Sequence, residues 1–231
     1  QKTQDTTESP ITVIPNNAAL ILQLNDVKEL ERSLSKSDIW KNLKHIKQIK
    51  SITREAIHIS SFFSENNDVF TSNNLFISIH QVSANKSAVL FSTPFKRAHI
   101  KDNQEVILLF TKDFTTSNYD NQTVYFSKSL DKFFSFKNDI LFYSKDKMLL
   151  TDAIRTSNKN TDDLFVNPLF LNCYNTTSSS ADINLMINYN NLIALSNIFI
   201  TTPLELNYFS EWAATDVTLK NNRIIASGFS T

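Results

Sequence analysis

Four histidines, one cysteine and scattered carboxylates are the residues of this chain best suited to chemistry. His45, His58, His80 and His99 make no H-E-x-x-H pattern, and no two have the spacing of a zinc-ligand pair. His80 alternates with Ser78 and Phe76 on one strand face, which raises a nucleophile–base pair. Such a pair would also need a carboxylate and an oxyanion site, and spacing supplies neither. Cys173, in FLNCYN, has no adjacent histidine or basic residue to lower its pKa and reads as a buried, inert thiol. Asp162-Asp163 is an acidic pair in a polar loop, far short of the oxygen set a hard cation requires. No catalytic residue, metal ligand or cofactor is assigned.

Glycine sharpens that exclusion. The chain has one, Gly228, beside 26 asparagines. A dinucleotide fingerprint, a P-loop and a G-x-S-x-G elbow all need glycines that are missing. Turns with positive φ must instead use Asn or Asp, the other residue types that tolerate that region. Pairs such as Asn16-Asn17, Asn190-Asn191 and Asn221-Asn222 sit where turns or caps belong.

Residues suited to partner contact are easier to find. Lys41, Lys44, Lys47, Lys50 and Arg54 recur at helical spacing, opposite an apolar stripe. That stripe could meet an anionic membrane or an acidic partner, or be a solvated face. Nucleic acid is disfavoured. Lys+Arg and Asp+Glu balance at 23 each, and no aromatic platform lies between the basic residues. Tyr125, Phe126, Phe133, Phe134, Phe136, Phe142 and Tyr143 crowd into one short region. Alternation cannot bury all of them on one sheet face. They are core if helices cover both faces; otherwise Tyr125, Phe133 and Tyr143 lead a strip that binds a peptide, glycan or protein. Trp212, opening the last hairpin, is core or partner contact. The sequons at Asn85, Asn121 and Asn175 fit the glycosylation pattern but also the Asn-rich composition.

The elements that must position these residues follow from periodicity. At 231 residues and 41 % hydrophobic, a packed core is expected, and no apolar run reaches membrane-span length. Residues 18–24 read as a buried strand, and Asp26 with Glu29 opens a helix that turns Val27, Leu30 and Leu34 inward. Ser37 caps a longer amphipathic helix through Ile39, Leu43, Ile46, Ile49, Ile52, Ala56, Ile59 and Phe63. A hairpin follows over 74–82 and 88–93. Residues 104–113 suit helix or strand. Residues 122–127 are a strand, and 133–136 with 140–143 form a hairpin. Helices are expected over 146–156, from Asn167-Pro168, and over 191–198; strands over 181–189, 212–219 and 223–229. Strand, polar cap and short apolar helix recur at 18–30 and 183–195, more loosely at 140–150. This suggests repeated strand–helix units sharing one sheet, with a second half from about residue 165.

The phrases IPNNAALILQLND, SDIWKNLKHI, NDILFYSKDKMLLTDAI and EWAATDVTLKNNRIIASGF resemble an uncharacterised family of Bacteroidetes envelope proteins, catalogued as domain of unknown function 3352. The resemblance spans most of residues 14–229, on apolar, structural motifs. It implies an exported protein, often a lipoprotein, and supplies no catalytic residues. By that resemblance residues 1–13 look like a flexible tether after a lipidated cysteine, and the stop at Thr231 looks like a truncation. Family members place more glycine at turns than this chain does.

The expectation is therefore an α+β fold: a mixed, mostly antiparallel sheet covered by helices, with a long N-terminal amphipathic helix, in one domain over 14–231. The expected function is a non-enzymatic interaction or scaffold module of an exported, membrane-tethered protein, extracytoplasmic and associated with the outer membrane. It needs no cofactor and takes another envelope protein, not nucleic acid, as partner. The alternatives are a glycan- or peptide-binding domain using residues 125–143 and, behind that, a hydrolase.

Overall fold

The computed structural model describes residues 9–35, 54–55, 57–59, 61–63, 65–66, 68–70, 74–97, 100–159, 164–200, 210–220 and 223–231. The strands are β1 Ala18–Leu24, β2 Leu75–Ser83, β3 Lys86–Pro94, β4 Thr115–Tyr119, β5 Gln122–Ser127, β6 Lys132–Lys137, β7 Ile140–Ser144, β8 Ile183–Asn188, β9 Trp212–Lys220 and β10 Arg223–Ser230. They form one sheet, in the order β10-β9-β8-β1-β2-β3-β7-β6-β5-β4. The helices are α1 Val27–Ser35, α2 Asn103–Phe110, α3 Lys147–Asn158, α4 Pro168–Tyr174 and α5 Tyr189–Ser196, with 3-10 turns at Pro10–Val13 and Leu164–Val166.

The architecture is α+β, but the sheet is not mixed. Every ladder among the described strands is antiparallel. Short turns enforce this within the hairpins, because a two-residue connection can join only antiparallel neighbours. Asp120-Asn121 links β4 to β5, and Asn138-Asp139 links β6 to β7. Asp120, Asn121, Asp131 and Asn138 all have positive φ, so Asn and Asp do the work glycine usually does.

Three strands run straight into helices: β1 into α1, β7 into α3 and β8 into α5. Each junction is capped by a short acceptor. Asp26 Oδ1 accepts from the Lys28 and Glu29 N–H groups at 2.9 and 3.0 Å. Asp146 Oδ1 accepts from the Leu149 N–H at 3.0 Å, and Asn188 Oδ1 from the Asn191 N–H at 2.9 Å. These bonds satisfy amides that have no partner within a helix's first turn. The third cap is Asn188, earlier than the Asn190-Asn191 pair that the pattern suggested. Strands β8 to β10 continue beside β1 in the same sheet, so one sheet joins the part after residue 165 to the part before it.

Both faces of the sheet are covered. On one, Ile21, Phe76, Leu90, Ile140 and Phe142 pack with Ile11 and Val13, with Leu149 and Ile154 of α3, and with Phe170 of α4. On the other, Leu75, Ile77, Phe91, Phe134, Leu141 and Tyr143 pack with Val27 and Leu30 of α1, with Ile59 and Phe63, and with Val106 and Ile107 of α2. Neighbouring residues of one strand serve opposite cores, which explains near-continuous apolar runs such as ILFY in β7.

Two expectations are corrected here. Pro10–Val13 is not tether: Ile11 and Val13 are fully buried against the first face. The long N-terminal amphipathic helix is not shown. Residues 54–55, 57–59, 61–63 and 65 are helical, with Ile59, Phe62 and Phe63 buried. The rest of its expected span, with Lys41, Lys44, Lys47 and Lys50, lies outside the described residues, and the described helix nearest the N-terminus is the nine-residue α1.

Candidate functional site

The pairing of β1 with β2 sets Ala18 opposite His80, which brings Asn17 to the histidine. His80 Nδ1 lies 2.7 Å from Asn17 Oδ1, and His80 Nε2 lies 2.8 Å from Ser78 Oγ. An amide oxygen can only accept, so Nδ1–H donates to Asn17 and neutral Nε2 accepts the Ser78 hydroxyl. The order hydroxyl–imidazole–amide is that of a nucleophilic relay. Its setting is not. Ser78 and His80 are both fully buried, so no substrate reaches the hydroxyl. Burial without a charge partner lowers the His80 pKa to about 3, so the ring stays neutral. Sequence alternation found the Ser78–His80 pair; Asn17, 63 residues away, was invisible without the β1–β2 register.

A cleft of about 410 Å³ opens where β3, β6 and β7 meet the helical residues at 54–55. Lys132 Nζ pairs with the Glu55 carboxylate, with side chains 10 % and 22 % exposed. Tyr143 Oη donates to Glu55 Oε1 at 3.1 Å. Lys132 Nζ also sits 5.0 Å from the Tyr143 ring centroid, and Phe91 stacks on that ring at 5.0 Å and 8°. Burial, then the Glu55 charge, holds the Tyr143 hydroxyl well above its ordinary pKa, so it remains a donor. At the cleft's other end Asp146 takes Lys86 Nζ at 2.5 Å. These groups answer one another. The arrangement fastens the helical residues at 55 to β6 and β7. Lys132→Met would leave Glu55 without its cation and is expected to cost about 2 kcal/mol in urea denaturation. Adding Glu55→Gln should return most of that loss. If the double variant is no more stable than Lys132→Met, the pairing is not what the lysine contributes.

The sheet ends differently at its two edges. β4 carries TTSNY, with no large aliphatic residue. Among the described residues β10 pairs only with β9, and it is exposed along all eight of its own. Ile224, Ile225 and Phe229 are 46 %, 48 % and 49 % exposed. Natural edges are blunted by charges, proline or a bulge. β10 has one charge, Arg223, at its first position, and an unbroken ladder to β9.

Among the partner-contact residues expected from sequence, Arg54 and Tyr143 line the same cleft, with Tyr143 buried. Tyr125 is buried beneath α2's face of the sheet, and Phe133 is half-buried against the opposite core. The 125–143 aromatic region is therefore core, not an open strip, because helices cover both faces. Trp212 is buried too, edge-on to Phe170 at 4.9 Å, which is the core alternative of its two readings and not the partner contact. Cys173 is buried, its thiol 3.4 Å from the Trp212 carbonyl. What periodicity missed is β10: its run Ile224-Ile225 was visible, but its place at a sheet edge was not.

Fold and site thus define an α+β protein on a single antiparallel sheet, with one apolar edge that is unpaired among the described residues. No family model matches the chain, and no curated protein does. Among solved structures the chain is similar to TP0453, in a structure of its crystal form I. The identity is 12 % and the TM-score 0.46, over 96 % of this chain and 77 % of that one. A likeness of that strength bears on neither function nor site.

Proposed function

We propose that this chain is a non-enzymatic interaction module, a scaffold part of an exported, membrane-tethered bacterial envelope protein. The observation that carries the reading is β10, a long edge strand exposed throughout, with large apolar side chains on both faces. Such an edge offers a row of backbone donors and acceptors to an added strand, with Ile224, Ile225 and Phe229 as side-chain anchors. The burial of Ser78 and His80 supports the non-enzymatic part, since that relay has no access for a substrate. The envelope setting and lipid tether rest on the family resemblance of residues 14–229 alone.

The test is a pull-down of the full-length tagged protein from its native membrane, beside the Ile224→Glu/Ile225→Glu variant. One stoichiometric partner should survive mild detergent with the wild type and be lost with the variant. Equal recovery from both proteins would remove β10 as the docking element. No partner in either sample would overturn the scaffold reading.

A further inference from the structure

We propose that the strand added at this edge is β10 of a second copy of the chain, paired antiparallel about a two-fold axis through Ala226. The proposal rests on the interaction reading above and names its partner. A two-fold axis normal to the sheet keeps each side chain on its own face, so residues of like parity meet. Centred on Ala226, the strand matches itself from Arg223 to Phe229. Ile224 of one copy faces Gly228 of the other, Ile225 faces Ser227, and Ala226 faces Ala226. Both isoleucines are set beside a small residue.

Gly228 has no side chain, and β9 fills the place where its Cβ would be, so in this register Ile224 of the second copy meets no side chain opposite it. Cross-strand pairs are the unit of sheet stabilisation, so this tiling decides the register. Arg223 and Phe229 then meet, a cation beside an aromatic ring. Within its own copy Arg223 stands opposite Lys220, a like charge, in the β9 ladder. The edge strand has no other charged residue, so no repulsion opposes self-association. Centring on Ser227 pairs as many residues. It sets Gly228 against Ala226, leaving a bare strip, and takes Arg223 out of the ladder. The product of the Ala226 register is one continuous sheet across two copies. The polar β4 edges remain outermost, ending growth at the dimer.

Sedimentation of the full chain over a dilution series tests this. The wild type should shift from monomer to dimer. Ala226→Lys and Ala226→Glu, each placing like charges opposite at the axis, should weaken the dimer at least about tenfold. An equimolar mixture of the two variants should restore it, because a lysine then faces a glutamate. Circular dichroism matching the wild type shows that an exposed Ala226 was changed without unfolding. A wild type that stays monomeric throughout, or a mixture no better than its parts, overturns the proposal. Membrane pull-downs then separate the two readings. A partner lost on Ala226→Lys keeps β10 as a docking edge for a different protein. A partner indifferent to that change removes β10 from both.

Discussion

Replacing Gly228 by alanine is expected to strip β10 from the sheet. The cost should be about 3 kcal/mol, at the upper end for one inserted methyl group. A Cβ at this position would run into the Ala214 carbonyl oxygen and would lie 2.8 Å from Thr215 Oγ1 and 3.0 Å from the Thr215 Cα. Two of these three atoms belong to the β9 backbone, so no side-chain rotation relieves the contact. The strands must separate where Gly228 pairs with Thr215. That is a steric reason for the chain's one glycine, and it does not involve positive φ.

The readout is local. Amide exchange across β10 should accelerate roughly a hundredfold, while β2 and β3 keep their protection. The loss should appear in urea denaturation to the extent that the β9–β10 hairpin unfolds with the rest. If β10 amides in Gly228→Ala exchange at the wild-type rate, the close approach of β9 and β10 does not exist in solution. Because β10 is the proposed dimer edge, the same variant should also fail to dimerise.

Why so much of the fold was legible, and the functional edge was not, can be traced to particular residues. The hairpins over β2–β3 and β6–β7 announce themselves by β-rich runs between polar turns. Asn138, at φ 47°, shows why an Asn-rich chain can manage with one glycine. The strand–helix junctions were visible because a polar acceptor must precede each helix, as Asp26 and Asp146 do. β4 was missed because TTSNY has no apolar alternation; it becomes a strand only through its turn to β5. The segment Pro10–Val13 was misread because its polar N-terminal neighbours outweighed Ile11, Val13 and Ile14, all of which are core. Residues 104–113 fitted either period, and the helix is settled by Asp102, whose carboxylate caps the Gln104 and Glu105 amides. Side-chain period also could not say whether Tyr125 and Tyr143 were covered, since covering depends on helices from distant parts of the chain. Edge position is illegible for the same reason: β10 reads like β8 until the strand order is known.

The buried histidine should dominate the protein's response to mild acid. His80 titrates at about 3 in the folded protein and near its ordinary 6.5 when unfolded. Between those values the unfolded chain binds a proton that the folded one refuses, so stability rises with pH across this window and is flat above it. On falling from pH 7 to pH 5, His80 alone is expected to remove about 2 kcal/mol. Carboxylates contribute to acid sensitivity as well, so the measurement must be differential. His80→Gln keeps an acceptor for the Ser78 hydroxyl and a donor for Asn17 but cannot ionise. It should cost about 1–2 kcal/mol at pH 7, through imperfect packing and hydrogen bonding in a fully buried site. At pH 5 the gap between variant and wild type should close or reverse, because only the wild type has lost the His80 contribution. Urea midpoints of both proteins at the two pH values decide it. Parallel losses would mean that His80 is solvated in the folded protein. The Ser78–His80–Asn17 relay would then be open to solvent, and the case for a hydrolase would return.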